Sequence, residues 1–322
     1  MKKALRRISI LLSLMLVLTS LAGAAFAEGE TYNIGIIQLI QHPALDAATQ
    51  GFIDALTEKL GEDKLNFDSQ NASGDSANCA TIVNGFVSAN VDLIMANATA
   101  ALQAAYNGTE TIPILGTSIS TYVAALDIEV NEDGSTGLNV SGTSDLAPLD
   151  GQAEVLHELL PDAKTVGLLY CSAEPNSKYQ IDVIEPYIQA YGYETTRYTF
   201  SDSNDLASIV TKAVSEVDVI YVPTDNTVAN NTEVVNNIAL PAGIPVIAGE
   251  EGICAGCGVA TLSINYYDIG YVTGEMAYEI LVNGADVSAM PIAYAPEVTK
   301  KYNAENAAAL NIEIPEGYEA IE

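Results

Sequence analysis

Three acidic side chains stand where the chain could bind a small cationic group. Asp225 follows an apolar run at 217–222, Glu250 follows another such run, and Asp268 lies near the start of a long apolar segment. A buried α-ammonium group requires a carboxylate partner, because an unpaired buried charge is costly. Asp225 is the first candidate for that partner. Its alternative role is to cap the helix predicted directly after it.

Almost all of the other candidate binding residues are hydroxyl, amide or small side chains, with one carboxylate (Asp145) and one imidazole (His42), and most of them follow predicted strands. Ligands of open parallel sheets bind beyond the carboxyl ends of the strands, so these residues are expected to line one cleft. Several of them also precede predicted helices, which leaves capping open as an alternative. The candidates are Gln41, His42, Asn97, Ala98, Thr99, Thr117, Ser118, Thr143, Ser144, Asp145, Asn176, Ser177 and Asn226.

Basic residues are scarce around these positions, and their scarcity restricts the ligand. Arg197 falls on a predicted strand, and Lys178 is the only lysine near a candidate loop. Sulfate, phosphate or a dicarboxylate would usually be bound by a guanidinium or ammonium group. A single carboxylate can instead be held by helix N-termini and hydroxyl groups. The sequence therefore favours a zwitterion or a neutral molecule.

Sequence motifs of catalysis and metal binding are missing or weak. The first predicted strand is not followed by G-x-G-x-x-G, and the chain contains neither a P-loop nor G-x-S-x-G. Cys254-Ala-Gly-Cys257 could be a redox motif or half a zinc site, but it also fits a tight glycine-containing loop. We therefore expect no catalytic residues, no metal and no cofactor. An exported enzyme with a doubly wound fold is the rival interpretation.

The first 27 residues have the pattern of a secretory signal peptide. Basic residues (Lys2, Lys3, Arg6 and Arg7) precede an apolar run at 8–21, and Ala25-Phe26-Ala27 forms an A-x-A site. An uncleaved anchor is the alternative. Ala24 follows Gly23 where a lipobox would have Cys, so the sequence predicts an exported, periplasmic or cell-surface protein that is cleaved after Ala27 and is not a lipoprotein.

The acidic balance of the chain excludes several partners. Removal of the signal peptide leaves 322 − 27 = 295 residues, about two domains by length, and changes the formal charge from −30 to −30 − 4 = −34. Such a surface repels nucleic acid and anionic lipid. We expect a monomer whose partner is a small molecule, with no bound nucleic acid.

Short apolar runs alternate with longer amphipathic segments, which predicts two α/β halves with parallel sheets. A polar stretch at 128–141 looks like a passage between them. The first half has strands at 32–40, 64–70, 91–96 and 112–116 and helices at 43–60, 75–89 and 99–106. The second has strands at 165–170, 194–200, 217–222 and 244–248 and helices at 147–160, 177–191, 205–214 and 228–240.

The C-terminal segment indicates that the chain crosses between the halves more than once. A strand at 258–263, a helix at 267–282, an extended segment at 292–295 and a helix at 298–310 are predicted. Several crossings make a hinge with a closable cleft. The expected lobes are residues 28–120 with 255–293, and residues 121–254 with 294–322.

Four short motifs of this chain are found together, in the same order, in one group of known proteins. They are Gln41-His-Pro-Ala-Leu-Asp46, Val166-Gly-Leu-Leu-Tyr170 with Glu174-Pro-Asn-Ser177, Tyr221-Val-Pro-Thr-Asp-Asn-Thr-Val228, and Asn265-Tyr-Tyr-Asp-Ile-Gly270 with Thr273-Gly-Glu-Met276. Together they resemble a family of substrate-binding proteins of ABC importers, of the kind associated with tryptophan or tyrosine uptake, and the resemblance spans residues 31–300. Cys254 and Cys257 depart from the family pattern, which usually has small residues there.

The resemblance implies the periplasmic-binding-protein type I fold, in which two Rossmann-like lobes are joined by a multi-strand hinge. It implies an aromatic amino acid as ligand and permease subunits of an ABC transporter as partners. A branched amino acid, a nucleoside or another neutral or zwitterionic solute remains the alternative ligand, and an exported sensory protein would use the same clamp.

Overall fold

The computed structural model describes residues 31–295 and 297–321. The predicted signal peptide lies outside this part of the chain. Two α/β lobes are present, each with one sheet and helices on both faces. Within the described ranges, no helix is both long and apolar enough to cross a membrane.

The sheet of lobe 1 is parallel throughout. The strands are β1 (Tyr32–Gln38), β2 (Leu65–Asn71), β3 (Leu93–Asn97), β4 (Ile114–Ile119), β5 (Val140–Ser144) and β11 (Ala293–Tyr294). Their order in the sheet is β11-β5-β4-β3-β1-β2. Strands β3 and β4 are buried along their full length, as expected where helices cover both faces of a parallel sheet.

Five α-helices belong to lobe 1, and two of them approach unusually closely. These helices are α1 (Pro43–Leu60), α2 (Ser76–Ala89), α3 (Thr99–Gly108), α4 (Tyr122–Leu126) and α11 (Tyr266–Asn283). Helices α1 and α11 meet at glycine, because a Cβ on Gly270 would lie 2.0 Å from the carbonyl oxygen of Ala48. The 3-10 turns Glu62–Lys64 and Val287–Ala289 complete the lobe.

The sheet of lobe 2 is parallel except for one pair near its edge. The strands are β6 (Thr165–Cys171), β7 (Glu194–Phe200), β8 (Val219–Val222), β9 (Val246–Ala248), β10 (Ala260–Ser263), β12 (Thr299–Tyr302) and β13 (Glu319–Ala320). Their order in the sheet is β13-β12-β10-β9-β8-β6-β7, and β12 runs antiparallel to β10.

Helices cover both faces of this second sheet as well. Separate apolar cores lie on its two sides, one around Leu169 and Ile220, the other around Leu168 and Tyr221. The helices are α5 (Leu149–Leu159), α6 (Pro175–Ala190), α7 (Ser203–Ala213), α8 (Asn226–Ala229), α9 (Thr232–Ala239), α10 (Glu251–Cys257) and α12 (Ala304–Ala309).

The chain crosses between the lobes three times. It leaves lobe 1 after β5, returns between β10 and α11, and leaves again between β11 and β12. The predicted fold class of two Rossmann-like lobes with parallel sheets and a multi-strand hinge is therefore confirmed.

The sheets to which β5 and β10 belong show that the lobe boundaries differ from those expected at 121 and 255. Strand β5 pairs with β4 in lobe 1, although 121–254 was expected in lobe 2. Strand β10 pairs with β9 in lobe 2, although 255–293 was expected in lobe 1. The β5 sequence, Val-Ser-Gly-Thr-Ser, has one large apolar residue, which is why it read as part of a polar passage.

Two local predictions near the C-terminus are wrong. Residues 298–310 were expected to be helical, but Thr299–Tyr302 is a strand and only Ala304–Ala309 is α-helical. The segment with Cys254 and Cys257 is a helix rather than a tight loop, because Glu250 caps it and starts it. Both segments are short, and periodicity does not separate strand from helix at that length.

Candidate functional site

The carboxyl ends of the two sheets meet across a cleft that is held by direct contacts. His42 Nε2 of lobe 1 lies 3.2 Å from Asn226 Oδ1 of lobe 2. Gln180 Nε2 donates to Ser120 Oγ across the same cleft at 2.9 Å. At the first two crossings, the Tyr266 hydroxyl donates to Asp145 Oδ2 at 2.9 Å. The lobes are therefore closed on one another.

Buried polar atoms without hydrogen-bond partners concentrate in this cleft. Five of the six such side-chain atoms found among the described residues belong to predicted site residues. The sixth is Thr261 Oγ1 on β10. Buried polar groups are nearly always hydrogen-bonded, so this clustering makes the cleft the candidate site for a polar ligand. The five atoms are His42 Nδ1, Asn97 Oδ1, Ser118 Oγ, Asp145 Oδ1 and Asn176 Oδ1.

Asn97 is oriented by a chain of buried side chains in lobe 1. Its Nδ2 donates to the carbonyl of Leu45 at 2.8 Å and to Thr49 Oγ1 at 2.9 Å. Thr49 in turn donates to Gln38 Oε1 at 2.7 Å, and Gln38 donates to Asp46 at 2.7 Å. Because the amide nitrogen is fully used, the side chain presents its oxygen as an acceptor.

The helices that start at the lobe 1 edge of the cleft lack side-chain caps. His42 precedes α1 and Ala98 precedes α3, and neither side chain accepts a hydrogen bond from the first turn of its helix. Ala98 has φ 85° and Ser118 has φ 56°, two left-handed conformations that L-residues rarely adopt. The first N–H groups of α3 are thus suited to a carboxylate of the ligand.

Asp145 combines burial with an unused oxygen. Its side chain is 3% exposed, and Oδ2 accepts from Tyr266 while Oδ1 has no partner within the described part of the chain. Burial raises its pKa to about 6, against the smaller opposite effect of the Ser120 and Tyr266 hydroxyls. A ligand cation would restore the ionised form, so Asp145 is suited to an ammonium group.

Asp225, the first candidate from sequence, has the capping role that was its alternative. Its Oδ1 accepts from the backbone N–H of Val228 at 2.9 Å and its Oδ2 from that of Cys171 at 2.7 Å. Burial, with a further contribution from Glu174, raises its pKa to about 8. The carboxyl group therefore joins α8 to the end of β6.

Glu250 is likewise used by its own backbone, since it accepts from the N–H groups of Gly252 and Ile253 at the start of α10. Burial raises its pKa to about 7. Asp268 and Gln41 are exposed. Asp268 lines a surface cavity with Asn265 beside the crossings, away from the five unpartnered atoms.

The remaining predicted residues lie at the cleft edges, and most of their polar atoms are paired. Thr143 Oγ1 bonds to Thr117 Oγ1 at 3.1 Å and to Thr273 Oγ1 at 2.9 Å. Ser144 donates to the Ser120 carbonyl at 3.1 Å. The others are Thr99, which is buried at the start of α3, and Ser177 and Asn176, which both donate to the Thr224 carbonyl.

The four cysteines at 79, 171, 254 and 257 are buried and free. Burial raises the thiol pKa of Cys79 and of Cys171 to about 11, and it raises those of Cys254 and Cys257 as well. Protonated, buried thiols are poor nucleophiles and metal ligands, which favours a packing role for the Cys254-Ala-Gly-Cys257 segment.

Sequence reasoning missed the residues that orient the site. Gln38 and Thr49 orient Asn97, Glu174 receives several hydrogen bonds beside Asn226, and Gln180 joins the lobes. Glu174 begins one of the four motifs, but the motif does not report its contacts. The roles of all four residues depend on hydrogen bonds between residues far apart in the chain.

Comparison with known proteins identifies the family. A family model described as ABC transporter substrate binding protein matches residues 33–320. The chain belongs to this family. A tyrosine-binding protein from Clostridioides difficile (strain R20291) is 38% identical over 283 residues, which cover 87% of this chain and 81% of that protein. The family binds solutes outside the cytoplasmic membrane and is not a family of enzymes.

Two solved structures of relatives represent a ligand-bound and a ligand-free, open state. An ABC domain in complex with L-Trp from Streptococcus pneumonia has a TM-score of 0.86 at 31% identity, covering 91% of this chain and 100% of that one. The ligand-free, open structure of a substrate binding protein with adhesive properties from Clostridium difficile has a TM-score of 0.70 at 40% identity, covering 91% and 99%. The arrangement of this chain is therefore closer to the ligand-bound one.

Proposed function

We propose that this substrate-binding protein captures an aromatic amino acid as its zwitterion and delivers it unchanged to the permease subunits of an ABC importer. It acts as a monomer, without cofactor or metal. It is exported by the N-terminal signal segment, which is cleaved after Ala27 and leaves no lipid anchor. The lobes close about the hinge and enclose the ligand. The ligand drives this closure because it binds the closed state more tightly than the open state.

One observation carries the proposal: five buried polar atoms without partners lie on the predicted cleft loops of both lobes and of the crossing between them. Asp145 is the partner of the α-ammonium group, because it alone among the buried acids of the cleft has a carboxylate oxygen without a partner in the described chain. The uncapped start of α3 receives the α-carboxylate.

The choice of an aromatic side chain is supported by the relatives. The Clostridioides difficile protein is a tyrosine-binding protein and the Streptococcus structure holds L-Trp. An aromatic ring buried between the lobes would contribute about 1.5–3 kcal/mol to binding from its apolar area. The polar atoms would then determine orientation and specificity.

A thermal-shift screen of the twenty amino acids, followed by titration calorimetry, tests this function. L-tyrosine or L-tryptophan is expected to raise the melting temperature more than any other amino acid, because a ligand that binds only the folded state stabilises it by mass action. N-acetyl-L-tryptophan, which lacks the ammonium group, is the matched control and is expected not to bind. Sugars, nucleosides and polyanions are screened alongside the amino acids, and a shift confined to them would contradict the proposal.

A further inference from the structure

Glu174 receives five hydrogen bonds at the lobe 2 edge of the cleft. Its Oε2 accepts from the backbone N–H of Asn226 at 3.0 Å, from Asn226 Nδ2 at 2.8 Å and from Asn176 Nδ2 at 3.3 Å. Its Oε1 accepts from the backbone N–H and the hydroxyl of Thr227 at 2.9 Å and 2.8 Å. Backbone N–H groups can only donate, so both carboxylate oxygens act as acceptors.

This arrangement fixes the orientation of the Asn226 amide. Its NH2 group must face the Glu174 oxygen, which leaves Oδ1 on the opposite side. That oxygen lies 3.2 Å from His42 Nε2 in the other lobe. An amide oxygen can only accept, so the proton of this hydrogen bond belongs to His42 Nε2.

The imidazole of His42 is thereby left with an acceptor. Burial lowers the pKa of His42 below its usual value, and the opposite effects of Asn226, Glu174 and Asp46 are smaller. A neutral imidazole carries one proton, and here it is on Nε2. Nδ1 then offers a lone pair, and it is buried with no partner among the described residues.

We propose that Glu174 is a positioning residue of the ligand site: through Asn226 it fixes His42 in the Nε2–H tautomer when the lobes close, so that Nδ1 accepts a hydrogen bond from the ligand. The inference rests on the proposed function and adds to it the chemistry that the ligand must present at this point, an N–H or O–H group. Because His42 and Asn226 belong to different lobes, the tautomer is set by closure itself.

Most of the other unpartnered cleft atoms are also hydrogen-bond acceptors. Asn97 and Asn176 both use their NH2 groups within their own lobes and leave Oδ1 unused, and Asp145 leaves a carboxylate oxygen. With His42 Nδ1 added, four of the five unpartnered cleft atoms are acceptors. A solute rich in donors, such as one with an ammonium and a ring N–H or O–H, is complementary to such a surface, and one that presents only acceptors is not.

Long-range 1H–15N correlation spectra of the full mature chain, labelled with 15N-histidine, test this chain of hydrogen bonds from Glu174 through Asn226 to His42, here called the relay. The chain has only two histidines, so His157→Gln assigns the signals. With saturating L-tryptophan or L-tyrosine, His42 is expected to be neutral and in the Nε2–H form. Glu174→Ala is expected to give a tautomer mixture and an affinity about threefold to tenfold lower, the range of one net hydrogen bond.

Thr227→Val is the matched control, since it removes one hydrogen bond to the same carboxylate without freeing the Asn226 amide. It is expected to leave the tautomer unchanged. A charged or Nδ1–H imidazole in the saturated wild type overturns the relay, as does an unchanged tautomer in a folded Glu174→Ala protein. Should that variant fail to fold, the wild-type spectrum still decides.

Calorimetry on the wild type separates this inference from the proposed function. If neither amino acid binds, the proposed ligand class fails, and the tautomer is read with whichever other screened compound binds, since lobe closure is what fixes it. A predominant Nε2–H form in that complex supports the positioning role, and a mixture of tautomers overturns it. Binding of either amino acid together with a mixed tautomer overturns the relay alone.

Discussion

The two edges of the cleft use similar polar residues for different purposes. At the lobe 2 edge, Asp225 and Glu250 cap α8 and α10, and every carboxylate oxygen accepts from a backbone N–H. At the lobe 1 edge, α1 and α3 begin after His42 and Ala98, which cap nothing. Three of the five unpartnered cleft atoms belong to lobe 1, one to the first crossing and one to lobe 2.

This difference teaches how to separate binding residues from structural ones. A good capping residue placed before a helix is consumed by that helix, whereas a helix that starts without one leaves its N–H groups for a ligand. The acidic residues that look most like ligand partners in the sequence are thus the ones that fold lobe 2. The less conspicuous Asp145, which precedes α5 without capping it, keeps a free oxygen.

Asp145→Asn is expected to cause the largest loss of ligand affinity, because Asp145 keeps an oxygen for the ligand where the acids of lobe 2 cap helices. The substitution removes the negative charge that pairs with the ligand ammonium in a buried site, where loss of one partner costs about 3 kcal/mol, or ~100-fold in affinity. Titration calorimetry with L-tyrosine and L-tryptophan measures it. Asp268→Asn, which changes an exposed acid beside the crossings, is the control, and equal losses in the two variants would remove Asp145 from the site.

Asp225→Ala is expected to act on folding rather than on binding. Two buried backbone N–H groups lose their acceptor, which lowers the free energy of unfolding by about 2–4 kcal/mol. Denaturant unfolding of the ligand-free protein measures this loss. Ligand affinity, measured at a temperature where the variant is folded, is expected to change less than about threefold. A large loss of affinity at unchanged stability would instead give Asp225 the ligand contact that the sequence suggested.

Ligand affinity is expected to rise with pH through about 6, the pKa of Asp145 in the ligand-free protein. Ammonium binding requires ionised Asp145. At pH 5 about one tenth of that carboxyl group is ionised, so affinity is about tenfold lower there than at pH 7. The ionisable groups around it are Glu250, Tyr122 and Tyr266.

Calorimetry from pH 5 to pH 8 with wild type and Asp145→Asn checks this dependence. The variant is expected to have weak affinity with no step near 6. A step that persists in the variant would assign the titration to Glu250, whose pKa lies at about 7. Proton release on binding, read from the buffer dependence of the binding enthalpy at pH 6, is expected in the wild type only.

Much of the fold could be predicted from the sequence, because hydrophobic periodicity reports directly on burial. The strand predicted at 32–40 is found at Tyr32–Gln38, and the helix predicted at 43–60 is α1 itself. Strand β5 and helix α10 were missed. The first has the small polar residues of a cleft strand, and the second depends on a cap at Glu250 that only the folded backbone reveals.

The candidate site was predicted as a set of loops but not as a set of roles. The sequence predicts cleft loops that include Asn97, Ser118, Asp145 and Asn176, and each of these residues has a buried polar atom without a partner in the described chain. Which predicted site residue keeps such an atom depends on hydrogen bonds between residues distant in sequence, such as those from Asn97 to Thr49 and from Asn226 to Glu174. Local pattern carries no information on those pairs.

Ser120→Ala is expected to have the smallest effect on ligand affinity. It removes a hydrogen bond between the two edges of the cleft and leaves the helix caps of lobe 2 unchanged. In the closed form the Ser120 hydroxyl accepts from Gln180 Nε2 at 2.9 Å, and in an open form water would replace it. Loss of one net hydrogen bond, about 0.5–1.5 kcal/mol, shifts the equilibrium toward the open form and lowers affinity about threefold to tenfold. The faster dissociation is measured by stopped-flow fluorescence of bound L-tryptophan, since the chain has no Trp of its own.

The hydroxyl of Ser120 also lowers the pKa of Asp145, so these measurements belong at pH 8, where that carboxyl group is ionised in both proteins. Ser88→Ala, whose hydroxyl bonds within a helix of lobe 1 at 2.7 Å, is the matched control and is expected to leave dissociation unchanged. If Ser120→Ala dissociates at the wild-type rate, the contact forms without stabilising closure. The closed form would then be held by the contact between His42 of lobe 1 and Asn226 of lobe 2 and by the ligand itself.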